Sequence, residues 1–184
     1  MNRWNSDAFA SKKIAKIIQQ NVKTDLKISP HPHFGWRSLP NQNLKTISTN
    51  EQGLRGPRIS IDESELWFLI GGSFAWGFGA SSNEFIPSAL IEKYYKNHHP
   101  NSSISLLNLA EQMYTSIEEI KSFLFSVDEL MPSTVIIMTG FNDIAVKNAK
   151  NLDLYIKQLN FFYWGNTTGL LHSNSWLKSV AKIL

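Results

Sequence analysis

From Leu66 onward, short apolar runs alternate with longer amphipathic ones. "LWFLIGG" (Leu66–Gly72), "SISLLNLA" (Ser103–Ala110) and "TVIIMTG" (Thr134–Gly140) are strand-length, and the last is rich in β-branched residues. Such runs suit strands covered on both faces. Between them, "PSALIEKYYKN" (Pro87–Asn97) carries Leu90, Ile91, Tyr94 and Tyr95 at helical spacing. "SIEEIKSFLFSVDELM" (Ser116–Met131) does the same with Ile117, Ile120, Phe123, Leu124 and Leu130. Strand–helix–strand–helix–strand predicts an α/β domain: a parallel sheet, right-handed crossovers and helices on both faces.

The flanks read differently. "DAFASKKIAKIIQQNV" (Asp7–Val22) groups Phe9, Ile14, Ile17 and Ile18 on one face of a predicted amphipathic helix. A polar segment rich in Pro, Gly and Asn follows (Lys27–Ser60), with short strands predicted near Leu44–Thr49 and Pro57–Ile61. It reads as an arm wrapped on the domain. The expected organisation is therefore a helix over residues 1–26, an arm over 27–65 and the α/β domain over 66–184. After Gly140 the alternation fades. Leu152–Asn166 looks helical and then aromatic, and Ser173–Leu184 reads as a helix that the sequence ends within.

Composition narrows the classes little further. Hydrophobic residues make up 42% of the 184, enough for a core. Lys and Arg (18) exceed Asp and Glu (15) by three, and the excess is scattered, so no nucleic-acid partner is expected. There is no cysteine, which excludes disulfides and thiolate metal sites. No apolar stretch has the length of a membrane span and no signal-peptide core opens the chain, so a cytoplasmic location is the expectation.

Ligands of open parallel sheets meet the carboxyl ends of the strands. Here those ends are Gly71-Gly72-Ser73, the loop from Asn108 to Ser116, and Gly140-Phe141-Asn142-Asp143. A phosphate loop needs Gly-Lys-Ser/Thr, and no lysine lies between Leu66 and Glu92; the G-x-G-x-x-G spacing is also missed after Gly77 and Gly79. Ser73 stands as an exposed nucleophile or as a turn serine satisfying backbone donors. Asn142 and Asp143 stand as an amide donor beside it or as helix caps. Both roles can coexist, with Asp143 capping while Asn142 faces the crevice.

The order GGS…NLA…GFND resembles the SGNH (GDSL-like) hydrolases, a flavodoxin-like superfamily of esterases and carbohydrate O-acetyl esterases. The resemblance covers roughly residues 30–148. The first block is Gly71-Gly72-Ser73, with Gly72 where Asp is usual and Gly77 completing G-G-S-x-x-x-G; the third is Gly140 to Asp143 without departure. The upstream "STNEQGLRGP" (Ser48–Pro57) is similar to an N-x-x-G-x-R-G arm in members linked to surface polysaccharides.

The resemblance implies a three-layer, mostly parallel α/β/α domain, C-terminally incomplete here. Ser73 would be the nucleophile and first oxyanion donor, and Asn142 would add its side-chain amide. The second block's glycine N–H falls on Met113, or less well on Ala110. Gly72, Gly140 and Asp143 would contact a small ester or acylated glycan, and no cofactor is implied. The family's base comes from a late Asp-x-x-His block, which these residues lack; of the five histidines only His172 follows the third strand. Either the chain continues into that block, or it is a degenerate member that binds carbohydrate without catalysis.

Smaller features have plainer readings. His31-Pro32-His33 could pair two imidazoles on a metal, but no third ligand is near in sequence, so no metal is expected. Trp36, Arg37, Arg55 and Arg58 could touch substrate or dock the arm. Phe161–Trp164 ("FFYW") could line a pocket or fill a core.

Overall fold

The computed structural model describes residues 16–17, 25–57 and 65–148. Of the predicted first helix, only residues 16 and 17 fall within this range, and both are helical. Arg58, the predicted strand at Pro57–Ile61 except Pro57, Phe161–Trp164, His172 and the two C-terminal segments lie outside it.

Three parallel strands form the core sheet: β3 (Glu65–Gly71), β4 (Ile104–Asn108) and β5 (Thr134–Met138), in the order β4-β3-β5. Each starts and ends within about two residues of its predicted range. β3 is central and pairs with both neighbours, Leu69 opposite Asn108 on one side and Ile136 on the other. Its alternate side chains feed two cores. Leu69 packs with Leu106, Ala75, Trp76 and Ile91 on one face; Leu66, Phe68 and Ile70 pack with Leu107, Phe123 and Val127 on the other. A run apolar at every position is what a strand covered on both sides requires.

Helix α2 (Pro87–His98) covers the first face and α3 (Ser116–Val127) the second. Pro87 opens α2, where its missing N–H is no loss. Thr115 and Glu118 form a capping box on α3, with the Thr115 N–H donating to Glu118 Oε2 at 2.9 Å. The inward faces differ from the predicted stripes. On α2, Ile91 and Tyr95 pack inward, the latter against Trp67, whereas Leu90 and Tyr94 are exposed. On α3, Ile117, Ile120 and Leu124 are all more than half exposed, at 60%, 55% and 55%. The buried side is Glu119, Ser122, Phe123 and Val127, because two polar residues find partners inside. Two further helices fall outside the ranges predicted from the sequence: the single turn α1 (Ser73–Trp76) and α4 (Phe141–Asn148), the latter following the strand end where Asn142 and Asp143 stand as helix caps.

The arm carries its regular structure earlier than predicted. β1 (Ile28–His31) and β2 (Gly35–Ser38) form an antiparallel hairpin, whereas Leu44–Thr49 makes only isolated bridges, Asn43 with Ser48 and Thr49 with Arg55. Side-chain bonds hold this part instead. Asn50 Oδ1 accepts from the N–H groups of Gln52 and Leu54, both at 3.0 Å. Gly53 (φ +78°) closes the same turn, and a Cβ there would lie 2.1 Å from the Ser38 carbonyl oxygen. The hairpin is pinned to the domain by Trp36, whose Nε1 donates to the Gln112 carbonyl at 2.9 Å.

Candidate functional site

The sheet order places a switch point between β3 and β5, because the chain leaves β3 for β4 on one side and then crosses to β5 on the other. Crevices open at the carboxyl ends beside such points. Here the ends meet. A pocket of about 50 Å3 is lined by Gly72, Ser73 and Phe74 from the first end, Met138 to Asn142 from the third, and Glu119 from α3. A larger cavity of about 270 Å3 lies between the hairpin and α3, walled by Phe34, Arg37, Leu107 and Phe125. No residue of the predicted site lines it, so size alone does not mark the site.

Contacts among the strand ends are direct. Asn142 Nδ2 donates to the Tyr114 carbonyl at 2.7 Å, joining the third end to the second. The same nitrogen would lie 2.7 Å from a Cβ at residue 72, so the carboxamide rests on the Gly72 backbone, next to Ser73. Asn108 Nδ2 donates to the Ala75 carbonyl at 3.2 Å, fixing the second end to α1. Ser73, Asn142, Gly72 and Gly140 are thus brought together.

Met113 and Asp143 sit at the edge of this group, and neither lines the pocket. Both Asp143 carboxylate oxygens face the Ser116 N–H at 3.1 Å, and Oδ1 also accepts from Ser116 Oγ at 2.6 Å. Asp143 thus takes the capping role the sequence offered for it, on α3, a helix other than its own. Met113 adopts φ +64°, a backbone conformation that favours glycine. It is held there from both sides: the carbonyl of Gln112 accepts from Trp36, and that of Tyr114 accepts from Asn142. Tyr114 in turn donates its hydroxyl to the Trp36 carbonyl at 2.5 Å, and burial pushes its ionisation far upward. The Met113 side chain packs on the Ile28, Phe34, Trp36 and Tyr114 cluster. Its loop therefore has the shape that a glycine would ordinarily supply.

Glu119 was missed by sequence reasoning. It is only 3% exposed, lines the pocket and hydrogen-bonds Thr139. Burial holds its carboxyl above the usual range, and Asp143 and Glu118 push the same way. Its place in the first turn of an acidic helix start hid it, because such residues ordinarily serve the helix dipole.

Of the histidines, His98 and His99 end α2, at the end of the sheet where β4 begins, and stack on Tyr94 and Tyr95. His31 stacks on Phe34 and His33 on Phe125, with the two imidazoles 5.8 Å apart. Among the described residues no three His, Asp or Glu side chains form a metal-binding group, and no histidine lines the Ser73 pocket. Nor is any helix there long and apolar enough to cross a membrane. No protein-family model matches the chain, and no curated protein matches it significantly.

Proposed function

We propose that this chain carries an SGNH-type serine esterase site on a flavodoxin-like, three-layer α/β/α domain. The observation that carries the reading is the Ser73–Asn142 pair: both line one pocket at a switch point, with the Asn142 amide seated on Gly72. The strand order β4-β3-β5 supports the fold, since it is the 2-1-3 start of the flavodoxin-like order. The left-handed backbone at Met113 supports the second block.

In this reading Ser73 Oγ attacks the carbonyl carbon of a small acyl ester. A new C–O bond forms, the carbonyl π pair moves to oxygen, and the Ser73 proton passes to a base. The resemblance assigns that base to an Asp-x-x-His block, and the described residues supply the remainder of the site. Asn142 Nδ2 has two hydrogens; one is bonded to the Tyr114 carbonyl and the other serves the oxyanion, beside the backbone N–H of Ser73, and the resemblance adds the N–H of Met113 from the pocket's edge. One such donor is worth about 3 kcal/mol, or roughly a hundredfold in rate. Collapse of the oxyanion expels the alcohol, and water then releases the acyl group from Ser73. The small pocket suits a short acyl group such as acetyl, and the arm motif points to a glycan as the alcohol.

A fluorophosphonate probe tests the assignment. It should label the full-length protein at Ser73 and spare Ser73→Ala. A folded protein that resists labelling would instead be a carbohydrate-binding module that keeps the crevice without the chemistry.

A further inference from the structure

The arm reaches the turn that carries Ser73 through a buried side chain, Arg55, which is 2% exposed. Its three nitrogens diverge to three acceptors. Nη1 donates to the Gly77 carbonyl at 2.6 Å, Nη2 to the Thr46 carbonyl at 2.9 Å, and Nε to Asn83 Oδ1 at 3.1 Å. Asn83 is fixed in turn by donating to the Ser48 carbonyl and hydroxyl, both at 2.8 Å. The guanidinium also lies over the Trp76 ring, 4.5 Å from its centre. Burial lowers its pKa to about 10, opposed by the charge of Glu111, so it remains a cation at neutral pH.

Gly77 and Trp76 are the far end of the turn that begins at Ser73. α1 is four residues long, and Gly72 offers it no side-chain cap. A single turn is not stable by itself, because fixing its dihedrals costs more than one hydrogen bond returns. Gly77 ends it at φ +93°, its N–H on the Phe74 carbonyl at 3.0 Å; the Phe78 N–H returns to the Ser73 carbonyl at 2.8 Å. No side chain fits at Gly77, where a Cβ would lie 2.5 Å from Ile86. The turn is therefore held at Gly77 by Arg55, while at its start the Asn142 carboxamide lies close against Gly72.

We infer that Arg55 is a positioning residue for Ser73: its three-way hydrogen bonding and its stacking on Trp76 set the orientation of the turn that presents the hydroxyl. The inference rests on Ser73 being the nucleophile. It also gives the arm motif a reason: Asn50 and Gly53 shape the turn that delivers Arg55. Lysine cannot replace it, since one ammonium neither spans three diverging acceptors nor presents a flat face to an indole.

Two readouts on Arg55→Lys and Asn83→Ala, in the full-length protein, test this. Asn83→Ala removes one of the Arg55 acceptors while sparing the cation its other two, which guards against loss of folding. The first readout is site-resolved amide hydrogen exchange at Trp76, Gly77 and Phe78, compared with β3. The second is the fluorophosphonate labelling rate at Ser73 per folded molecule, well below the thermal midpoint. In Arg55→Lys, exchange at the turn should quicken about tenfold or more, and labelling should slow by a similar factor, as expected for losing a bond to a charged donor. Asn83→Ala should fall between Arg55→Lys and the unmodified protein. Unchanged exchange with normal labelling would overturn the positioning role and leave the esterase reading standing. Faster exchange with unchanged labelling would overturn it too. Failure of the unmodified protein to label at all would remove the esterase reading, and the inference with it.

Discussion

Gly72→Ala isolates the contact that joins the first and third strand ends. Gly72 has φ −86° and ψ −155°, extended backbone at the edge of the β region and on its negative-φ side, so alanine adds little backbone strain. What it adds is a methyl group 2.7 Å from Asn142 Nδ2 and 3.3 Å from the Tyr114 oxygen. The carboxamide is the flexible partner, so it swings away and its bond to Tyr114 is lost. One hydrogen bond contributes about 1 kcal/mol, and the displaced groups remain near solvent, so unfolding free energy should fall by only about that much. Reactivity should suffer more, since a displaced oxyanion donor costs roughly 100-fold in rate. Urea unfolding and the labelling rate at Ser73 measure the two effects separately.

The decisive form is a double-mutant cycle with Asn142→Ala. Once the carboxamide is gone, the added methyl group has no side chain to displace. Gly72→Ala should then slow labelling by less than about threefold in the Asn142→Ala background, because coupled groups are not additive. A hundredfold loss in both backgrounds, or none in either, would refute the claim that residue 72 acts through Asn142.

Other substitutions probe neighbouring parts. Asp143→Ala removes the cap on Ser116 and should cost about 1–2 kcal/mol in urea unfolding, the usual worth of an N-terminal cap. Met113→Val places a β-branched residue where such residues are outliers and should destabilise by about 1 kcal/mol beyond the strain Met113 already bears; Met113→Gly should stay within about 1 kcal/mol of the parent, as relieved strain offsets lost packing and added chain entropy. Glu119 has a folded pKa raised above its unfolded value, so the folded state binds the proton more tightly. Its contribution to stability therefore declines as pH rises from the ordinary carboxyl range through the raised value, and Glu119→Gln should flatten that part of the stability–pH curve. Glu92 and Glu111 are raised in the same direction by burial, so the variant should retain a weaker slope of the same sign.

Sequence alone determined the core sheet, because strand-length apolar runs alternate with helical patterns; Leu66–Ile70 is apolar throughout because β3 is covered on both faces, whereas the same pattern in β5 leaves Ile137 61% exposed. It also marked Ser73 and Asn142, since a strand end that stops in glycine and a small polar residue is seldom needed for packing. Sequence did not determine which helix faces turn inward. Ile117, Ile120 and Leu124 fit a stripe as well as Phe123 and Val127 do, and only the placement of partners for Glu119 and Ser122 chose between them. Nor could it separate Asn142 from Asp143, adjacent residues of similar capping tendency, until α3 brought Ser116 to one and Gly72 lay beneath the other. Arg55 and Glu119 depended most on tertiary structure: Gly77 and Asn83 around the one, and Thr139 and Asp143 around the other, lie about twenty residues or more along the chain, and a buried charge is defined by such neighbours rather than by its own position.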